Sequence, residues 1–206
     1  MRPIVAVIDY GMGNLRSVGK ALELSGARTE ITASSSRIKS ADAIVLPGVG
    51  SFGPAIKNLK RAGIDDTILE AVGKGRPFLG LCLGFQLLFD ASSEDGLHKG
   101  LGIIPGKVVK FRTKLKVPHM GWNSIRYPRG KARPLMFDGI PENSFFYFVH
   151  SYYAAPSGAS EIAGITGYGS DFCSAVTMNR VWGCQFHPEK SSGYGLQLLK
   201  NFVNII

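Results

Sequence analysis

A glycine-flanked cysteine joins two apolar runs, and this feature constrains the fold more than any other. The segment Gly80-Leu81-Cys82-Leu83-Gly84 completes the run Phe78–Leu81, which is typical of a buried strand. The residues that follow, 83–89, are apolar and compatible with a helix. Gly-x-nucleophile-x-Gly between a strand and a helix is the pattern of a sharp elbow that presents a nucleophile. The sequence therefore predicts a strand, a tight turn carrying Cys82, and a helix.

The elbow has a chemical rationale. A nucleophile on such a turn has a strained backbone, and flanking glycines remove side chains that would clash across it. The helix would direct its free N–H groups and positive dipole end at the Cys82 sulfur, which favours the thiolate. The backbone N–H of Leu83 would then be placed to donate to an oxyanion. The alternative is a cysteine that is simply buried in an ordinary strand–loop–helix joint.

The first half of the chain alternates buried strands with helices. Apolar runs predict strands at residues 4–8 and 42–46 ahead of the elbow strand, and a further short strand is predicted around residues 29–32. Helices are predicted at residues 14–24, 55–62 and 65–72, with Asn14 as the N-cap of the first and a polar turn at 34–36. Short links between such elements predict a mostly parallel sheet with helices on both faces. Ligands of such sheets bind at the carboxyl ends of the strands, so we expect the site there.

Two glycine-bearing turns follow these strands. Pro47-Gly48-Val49-Gly50-Ser51-Phe52-Gly53 offers backbone N–H groups that suit a phosphate or a developing oxyanion, although it also fits a plain strand-to-helix turn. Gly11-Met12-Gly13 invites a dinucleotide-binding interpretation. The third glycine of that motif is missing, however, and no acidic residue ends a second strand at the expected distance. The dinucleotide interpretation is therefore poorly supported.

From Gly100 onward, short β-like segments replace the helices. They lie at residues 106–111, 120–127, 145–153, 161–166, 172–178 and 181–186, and a last helix covers about 194–203. We predict that these segments are antiparallel strands added to the same sheet. The expected fold class is α/β, a mostly parallel doubly wound sheet with added antiparallel strands, forming one domain over residues 1–206.

Composition narrows the classes of function. The chain has 206 residues, 45% hydrophobic and 19% charged, which suits one well-packed domain. We see no signal peptide and no apolar run near the roughly eighteen residues of a membrane span. Three cysteines without close pairing favour a reducing, cytoplasmic location. The net charge of +9 is spread along the chain without stacking aromatics, so we expect solvated surface or an acidic protein partner, and no nucleic acid or membrane.

A possible base for the cysteine lies near the end of the chain. In Gln185-Phe186-His187-Pro188-Glu189, strand alternation places the first, third and fifth residues on one face, and Pro188 stiffens their spacing. A cysteine nucleophile needs a base, and the base needs an orienting acceptor. His-x-Glu by itself also fits a surface or structural histidine, and a metal site would lack a third ligand. The other histidines are interpreted as loop or structural residues: His98, His119 and His150.

The cysteine elbow, the glycine loop and Phe186-His187-Pro188-Glu189 together resemble the class I (triad) glutamine amidotransferases. Within that class the chain closely resembles the glutaminase subunits of imidazole glycerol phosphate synthases, from histidine biosynthesis. The blocks that carry the closer resemblance span the chain: Asp9-Tyr10-Gly11-Met12-Gly13-Asn14-Leu15, Pro47-Gly48-Val49-Gly50, Pro118-His119-Met120-Gly121-Trp122-Asn123, Phe148-Val149-His150-Ser151-Tyr152-Tyr153 and His187-Pro188-Glu189-Lys190-Ser191. Small departures at Ser51 and Phe85 touch no catalytic role.

The resemblance implies a role for each site residue. Cys82 attacks the glutamine carboxamide, His187 moves the proton, and Glu189 orients His187. The backbone N–H groups of Val49 and Leu83 hold the oxyanion. The glutamine head group is bound by four further residues: Gly50, Gln86, Ser151 and Tyr152. Water then releases glutamate from a γ-glutamyl thioester, and no metal or organic cofactor is implied.

The resemblance also implies a partner. Ammonia passes to a (β/α)₈-barrel cyclase subunit of imidazole glycerol phosphate synthase, which makes imidazole glycerol phosphate and an aminoimidazole ribotide. The candidate contacts in this heterodimer are Asn14, His119, Met120, Trp122 and Lys190. Two alternatives are a glutaminase subunit of another synthase, of the anthranilate or aminodeoxychorismate type, and a non-enzymatic basic binding module. The block around Trp122 argues against the first.

Overall fold

Thirteen β-strands and six α-helices make up the computed structural model, which describes residues 1–206. The strands, β1 to β13 in chain order, are Ile4–Ile8, Arg28–Thr32, Ala43–Leu46, Phe78–Leu81, Phe89–Ser92, His98–Lys99, Ile104–Lys110, His119–Ser124, Phe145–His150, Tyr152–Pro156, Ile162–Tyr168, Ser170–Met178 and Val181–Cys184. The helices, α1 to α6, are Leu15–Leu24, Ser35–Ser40, Phe52–Arg61, Ile64–Gly73, Leu83–Gln86 and Ser192–Asn204. None of these helices has the length and apolar character that crossing a bilayer requires.

Eleven of the strands form one mixed sheet. Its order is β2-β1-β3-β4-β13-β12-β10-β7-β5-β6, and β11 pairs with β12. Neighbours are parallel from β2 to β13. Beyond β13 most pairs are antiparallel, with β5 and β7 as a parallel exception. The predicted fold class is confirmed, and the elbow strand β4 lies near the centre of the sheet, between β3 and β13.

Helices cover both faces of the parallel half. Successive residues of β1 point to opposite sides, so Val5 and Val7 belong to one apolar core while Ala6 and Ile8 belong to the other. Helices α1 and α6 contribute to the first core, and α2, α3 and α4 contribute to the second. The inner strands β1, β3, β4 and β13 are therefore buried on both sides, which explains why they form continuous apolar runs. The edge strand β2 is polar and mostly not buried.

The helix after the elbow is shorter than predicted. It ends at Gln86 instead of residue 89, and the chain re-enters the sheet as β5. Leu87, Leu88 and Phe89 are all fully buried, so an apolar run could not distinguish a buried helix from a buried strand here. The serines predicted as a turn also differ, because Ser35 begins α2. A one-turn helix aligns few peptide dipoles, which weakens the helix-based argument for a thiolate at Cys82.

The second half of the chain departs from the prediction in two ways. β8 and β9 form a separate two-stranded sheet, so the strand predicted over residues 145–153 breaks at Ser151, between β9 and β10. β13 also lies parallel to β4, because its hairpin with β12 inserts it beside the elbow strand. Parallel strands end at the same edge of the sheet, so residues 185–189 emerge next to Cys82.

Candidate active site

Cys82 lies where β4 turns sharply into α5. Its φ of 53° and ψ of −107° are rare for a residue other than glycine and indicate a strained backbone. A Cβ atom at Gly84 would lie 1.8 Å from the Leu46 carbonyl oxygen, and one at Gly80 would lie 2.9 Å from the Gly84 carbonyl oxygen. Only glycine fits at these two positions, so close backbone packing on both sides holds the turn.

His187 and Glu189 form a buried pair. His187 Nδ1 lies 2.9 Å from Glu189 Oε1, and the two side chains are only 4% and 2% exposed. Because an ionised carboxylate can only accept, Nδ1 carries the proton and Nε2 is left as the basic nitrogen. That Nε2 is buried and has no hydrogen-bond partner within the chain. The pair therefore presents an unused basic atom, as a general base requires.

Electrostatics couple this pair to Cys82. Burial by itself lowers the pKa of His187, but the Cys82 sulfur and the Glu189 carboxylate outweigh burial and raise that pKa above its ordinary value. A stabilised imidazolium is what the base becomes after it removes the thiol proton. The other two cysteines differ, because burial raises the pKa of Cys173 to about 12 and that of Cys184 well above its ordinary value. These two sulfurs are therefore held as thiols.

A cavity of about 160 Å³ opens beside Cys82. Liquid water takes roughly 30 Å³ per molecule, so the cavity has room for about five waters or one small molecule. Every residue predicted for catalysis, oxyanion binding or substrate binding lies in its wall except Glu189, which pairs with His187. Those wall residues are Val49, Gly50, Cys82, Leu83, Gln86, Ser151, Tyr152 and His187. The fold thus brings together residues from four separate stretches of the chain.

The glycine loop is held in one defined orientation over the elbow. The Leu83 N–H donates to the Gly48 carbonyl oxygen over 3.3 Å, and the Tyr10 hydroxyl donates to the Pro47 carbonyl oxygen over 2.9 Å. In a planar trans peptide the N–H points away from the C=O, so the Val49 N–H is directed away from Leu83. The two predicted oxyanion donors are therefore not assembled in this conformation.

Two polar residues at this site, Glu94 and Gln185, were not among the site residues predicted from the sequence. Glu94 lies in the cavity wall, and its Oε2 accepts the Phe52 N–H over 2.7 Å. Gln185 is fully buried, and its Nε2 lies 3.8 Å from Cys82 Sγ. Alternation with His187 marks Gln185 as a candidate. No sequence signal identifies Glu94, because the short strands β5 and β6 that flank it were themselves not predicted.

Four of the five residues predicted to contact a partner are exposed: Asn14, Met120, Trp122 and Lys190. His119 is the exception, because it is only 3% exposed and its ring bonds to His150 and Asn123. Alternation along β8 directs residues 120 and 122 outward, whereas residues 119 and 123 point inward. The His119 side chain therefore points into the fold, and contact between residue 119 and the partner stays a prediction.

Size alone does not identify the site. Four larger grooves, of about 660, 830, 430 and 270 Å³, lie elsewhere, and none of them is lined by Cys82, His187 or Glu189. No group of three or more His, Cys, Asp or Glu side chains in residues 1–206 is arranged to hold a metal ion. The assignment of the smaller cavity as the active site depends on the chemistry of its wall.

Comparison with known proteins places the chain in a family. Residues 6–206 match the family Glutamine amidotransferase class-I. The imidazole glycerol phosphate synthase subunit HisH of Moorella thermoacetica is 48% identical over 206 residues, which covers 100% of this chain and 96% of that protein. The subunit of the same name from Chlorobaculum tepidum is 47% identical over 202 residues, covering 97% of this chain and 99% of that protein.

Solved structures that share the fold are more distant in sequence. The structure of PurLQS from Thermotoga maritima matches with a TM-score of 0.78 at 17% identity, covering 100% of this chain and 99% of that one. A crystal structure of a glutamine amidotransferase matches with a TM-score of 0.76 at 19% identity, covering 98% and 97%. At these identities the likeness establishes the fold alone.

Proposed function

This chain belongs to the class-I glutamine amidotransferase family, and we propose how the residues of its cavity hydrolyse glutamine. Relatives of 46–48% identity over nearly the whole chain are HisH subunits of imidazole glycerol phosphate synthase. The chain is accordingly a glutaminase subunit of that synthase, which serves histidine biosynthesis. The alternatives of another synthase and of a non-enzymatic module are set aside, and we propose that residues 1–206 act as one glutamine amidotransferase domain.

One observation carries the proposed chemistry: His187, whose buried Nε2 is unpaired, lines the same small cavity as the strained Cys82. His187 Nε2 takes the thiol proton, and the sulfur of Cys82 attacks the carboxamide carbon of glutamine. The tetrahedral intermediate then expels ammonia, which receives its proton from His187, and a γ-glutamyl thioester remains. Water, deprotonated by His187, attacks the thioester and releases glutamate, which restores the Cys82 thiol.

Glu189 sets the direction of this proton transfer. By accepting from Nδ1 it fixes the tautomer in which Nε2 is basic, and it stabilises the imidazolium that forms. The Ser191 hydroxyl donates to the His187 carbonyl oxygen over 2.6 Å and accepts the Tyr147 N–H over 3.0 Å. These bonds hold the 3₁₀ turn Pro188–Lys190, so the spacing of His187 and Glu189 is stiff.

The cavity wall offers acceptors for the ammonium group of an amino acid. Gln86 donates both Nε2 protons within the chain, to the Tyr152 carbonyl oxygen and to Gln185 Oε1, which leaves its own Oε1 free to accept. The Glu94 carboxylate supplies a negative charge in the same wall. We propose that these two groups bind the glutamine ammonium, while Gly50, Ser151 and Tyr152 contact the head group mainly through backbone.

The oxyanion site requires a rearrangement. Rotation of the Gly48–Val49 peptide would withdraw the Gly48 carbonyl oxygen from Leu83 and direct the Val49 N–H toward the cavity. Both backbone donors would then face the developing oxyanion. The glycines on either side of Val49 make the rotation sterically inexpensive, and Gly50 already has a φ of 106°. We propose this rotation as the step that switches the subunit on.

The partner is the cyclase subunit of the synthase, and we propose that it has a (β/α)₈-barrel fold. We place its docking surface on the exposed residues near the cavity: Asn14, Met120, Trp122 and Lys190. Ammonia would pass directly to the cyclase instead of entering solvent. We also propose a cytoplasmic location, because all three cysteines are unpaired thiols.

Glutamate release measured with and without the cyclase and its ribonucleotide substrate tests the proposal. We expect hydrolysis to require Cys82 and to rise when the partner and the ribonucleotide are both present. Hydrolysis that persists in the Cys82→Ala variant at the wild-type rate would contradict the proposed chemistry.

A further inference from the structure

A continuous series of hydrogen bonds connects the carbonyl oxygen of Tyr152 to the sulfur of the proposed nucleophile, Cys82. It begins at the carbonyl oxygen of Tyr152, which accepts from Gln86 Nε2 over 2.9 Å. The same Gln86 nitrogen donates to Gln185 Oε1 over 2.9 Å, and Gln185 Nε2 then lies 3.8 Å from Cys82 Sγ. The family chemistry described above uses Gln86 for the substrate and leaves Gln185 without a role.

The direction of these bonds is determined by the Tyr152 carbonyl. A carbonyl oxygen can only accept, so the Gln86 atom that contacts it must be the nitrogen. That nitrogen also contacts Gln185, so the Gln185 atom facing it must be the oxygen. The other end of the Gln185 amide, the N–H₂ group, therefore points at the sulfur of Cys82. The backbone thus excludes the flipped amide, in which an oxygen would face the sulfur.

Two buried histidines support the same carbonyl from its other side. His150 Nδ1 donates to the Tyr152 oxygen over 2.8 Å, which leaves its Nε2 as an acceptor 2.9 Å from His119 Nδ1. His119 Nε2 then accepts from Asn123 Nδ2 over 3.1 Å. Each ring holds one proton, and each of its nitrogens has one partner. Both lone pairs of the Tyr152 oxygen are occupied, so that oxygen is fixed in position.

We propose that Gln185 is a further catalytic residue, whose side-chain N–H stabilises the Cys82 sulfur as a thiolate. The one-turn helix α5 has few aligned dipoles to offer. Apart from the coupled His187, the Gln185 amide is the side-chain donor that lies beside the Cys82 sulfur. A donor fully buried beside the sulfur interacts in a low dielectric, where it favours the charged form more than it would in water. His119 and His150 are positioning residues that act through Tyr152 and Gln86.

Alkylation of Cys82 by iodoacetamide tests this role without glutamine, because its rate follows the thiolate fraction. The variant Gln185→Met keeps the length of the side chain and removes the donor. We expect the pH of half-maximal alkylation to rise by about one unit, so that alkylation below that pH slows about tenfold. The matched control is Gln197→Met on α6, which removes a glutamine remote from Cys82 and should leave the profile unchanged. An unchanged profile in a folded Gln185→Met protein would overturn the proposal.

A second measurement uses the unaltered chain, in case Gln185→Met does not fold. The side-chain N–H resonances of Gln185, observed by ¹⁵N NMR, should shift with the same pH midpoint as Cys82 alkylation and lose that titration in Cys82→Ser. Resonances that do not respond to pH would also overturn the proposal. The inference presumes the proposed nucleophile, but the two fail separately: hydrolysis that survives in Cys82→Ala removes the nucleophile, whereas an unaltered alkylation profile removes only the role of Gln185.

Discussion

The Leu83 N–H donates to the carbonyl oxygen of Gly48, 3.3 Å away, at the place where an oxyanion would need that donor. With the Gly48–Val49 peptide in this orientation, the site lacks one donor and presents an acceptor in its place. Loss of a single oxyanion donor slows acyl transfer by about a hundredfold or more. We therefore expect the isolated subunit to hydrolyse glutamine at least about a hundredfold more slowly than the complex with ribonucleotide bound.

The test measures the rate of glutamate release by the isolated subunit and by the complex with ribonucleotide bound. The rate of Cys82 alkylation by iodoacetamide in the same two samples is the control. Alkylation forms no oxyanion, so it should proceed in the isolated subunit even while hydrolysis is slow. Equal rates of hydrolysis in the isolated subunit and in the complex would contradict the peptide-rotation mechanism.

Substitutions in the triad should rank by role. We expect Cys82→Ala to abolish glutamine-dependent synthesis, while the cyclase still uses added ammonium salts because its own site is untouched. Glu189→Gln should be milder than His187→Ala, since it leaves a base in place that is poorly oriented and lacks its counter-charge. Cys173→Ala, which alters a buried thiol outside the cavity, is the matched control. Activity of Cys82→Ala within tenfold of the unaltered chain, or the reverse order of the other two, would show that the roles are misassigned.

The three thiols should react at very different rates. Cys82 lines the cavity together with its proposed base His187, whereas burial raises the pKa of Cys173 to about 12 and that of Cys184 well above its ordinary value. We expect iodoacetamide to label Cys82 selectively near neutral pH. Mass spectrometry of the digested protein after brief exposure measures the ratio. Labelling should become equal only after the chain is unfolded, and equal labelling of the folded chain would count against the elbow.

Stability should fall in mild acid because of two buried histidines. Burial lowers the pKa of His150 to about 3 and that of His119 to about 4, so both stay neutral in the fold while the unfolded chain takes up protons below about 6.5. The unfolded state then binds more protons, and each histidine contributes a loss of up to about 1.4 kcal/mol per pH unit as the pH drops from about 6 toward 4. Denaturant titrations at several pH values measure this slope.

The variant His119→Asn isolates the effect. It retains an amide donor near the Nδ1 position and removes one titrating ring, so the slope of the unfolding free energy between about pH 6 and 4.5 should decrease by about 1 kcal/mol per unit. His98→Asn is the control for histidine removal. His98 lies on the edge strand β6 and is only half-buried, whereas His119 is buried. Identical slopes in His119→Asn and the unaltered chain would refute this account.

Two glycine substitutions should have opposite effects. At Gly84 a Cβ would lie 1.8 Å from the Leu46 carbonyl oxygen, so Gly84→Ala must displace the elbow or β3. We expect a loss of roughly 2 kcal/mol or more in unfolding free energy, as for other overpacked sites, together with loss of hydrolysis.

At Gly73, the last residue of α4, a Cβ would meet nothing within 4 Å. Gly73→Ala should therefore stabilise the chain by up to about 1 kcal/mol, and thermal or denaturant unfolding would measure both.

Local patterns were sufficient wherever neighbours along the chain determine the outcome. The strands β1, β3 and β4 are buried on both faces and were predicted from continuous apolar runs. The cysteine elbow requires glycine at positions 80 and 84, because a Cβ atom at either position would clash with the neighbouring backbone. Local patterns failed where an apolar run fits either a buried helix or a buried strand. Residues 87–89 are apolar enough to continue the helix, but they lead into β5, which begins at Phe89.

The fold class, the family and the candidate nucleophile Cys82 could be predicted from the sequence, because each depends on residue types at short spacing. The folded structure was needed to show which polar groups meet although they are far apart along the chain. It placed Gln185 against Cys82, Glu94 in the cavity wall and His119 inside the fold. It also set the Gly48 carbonyl on the Leu83 N–H. Hydrogen bonds and burial depend on where residues lie in three dimensions. Those positions follow from the order of the strands in the sheet, which no single segment of the sequence specifies.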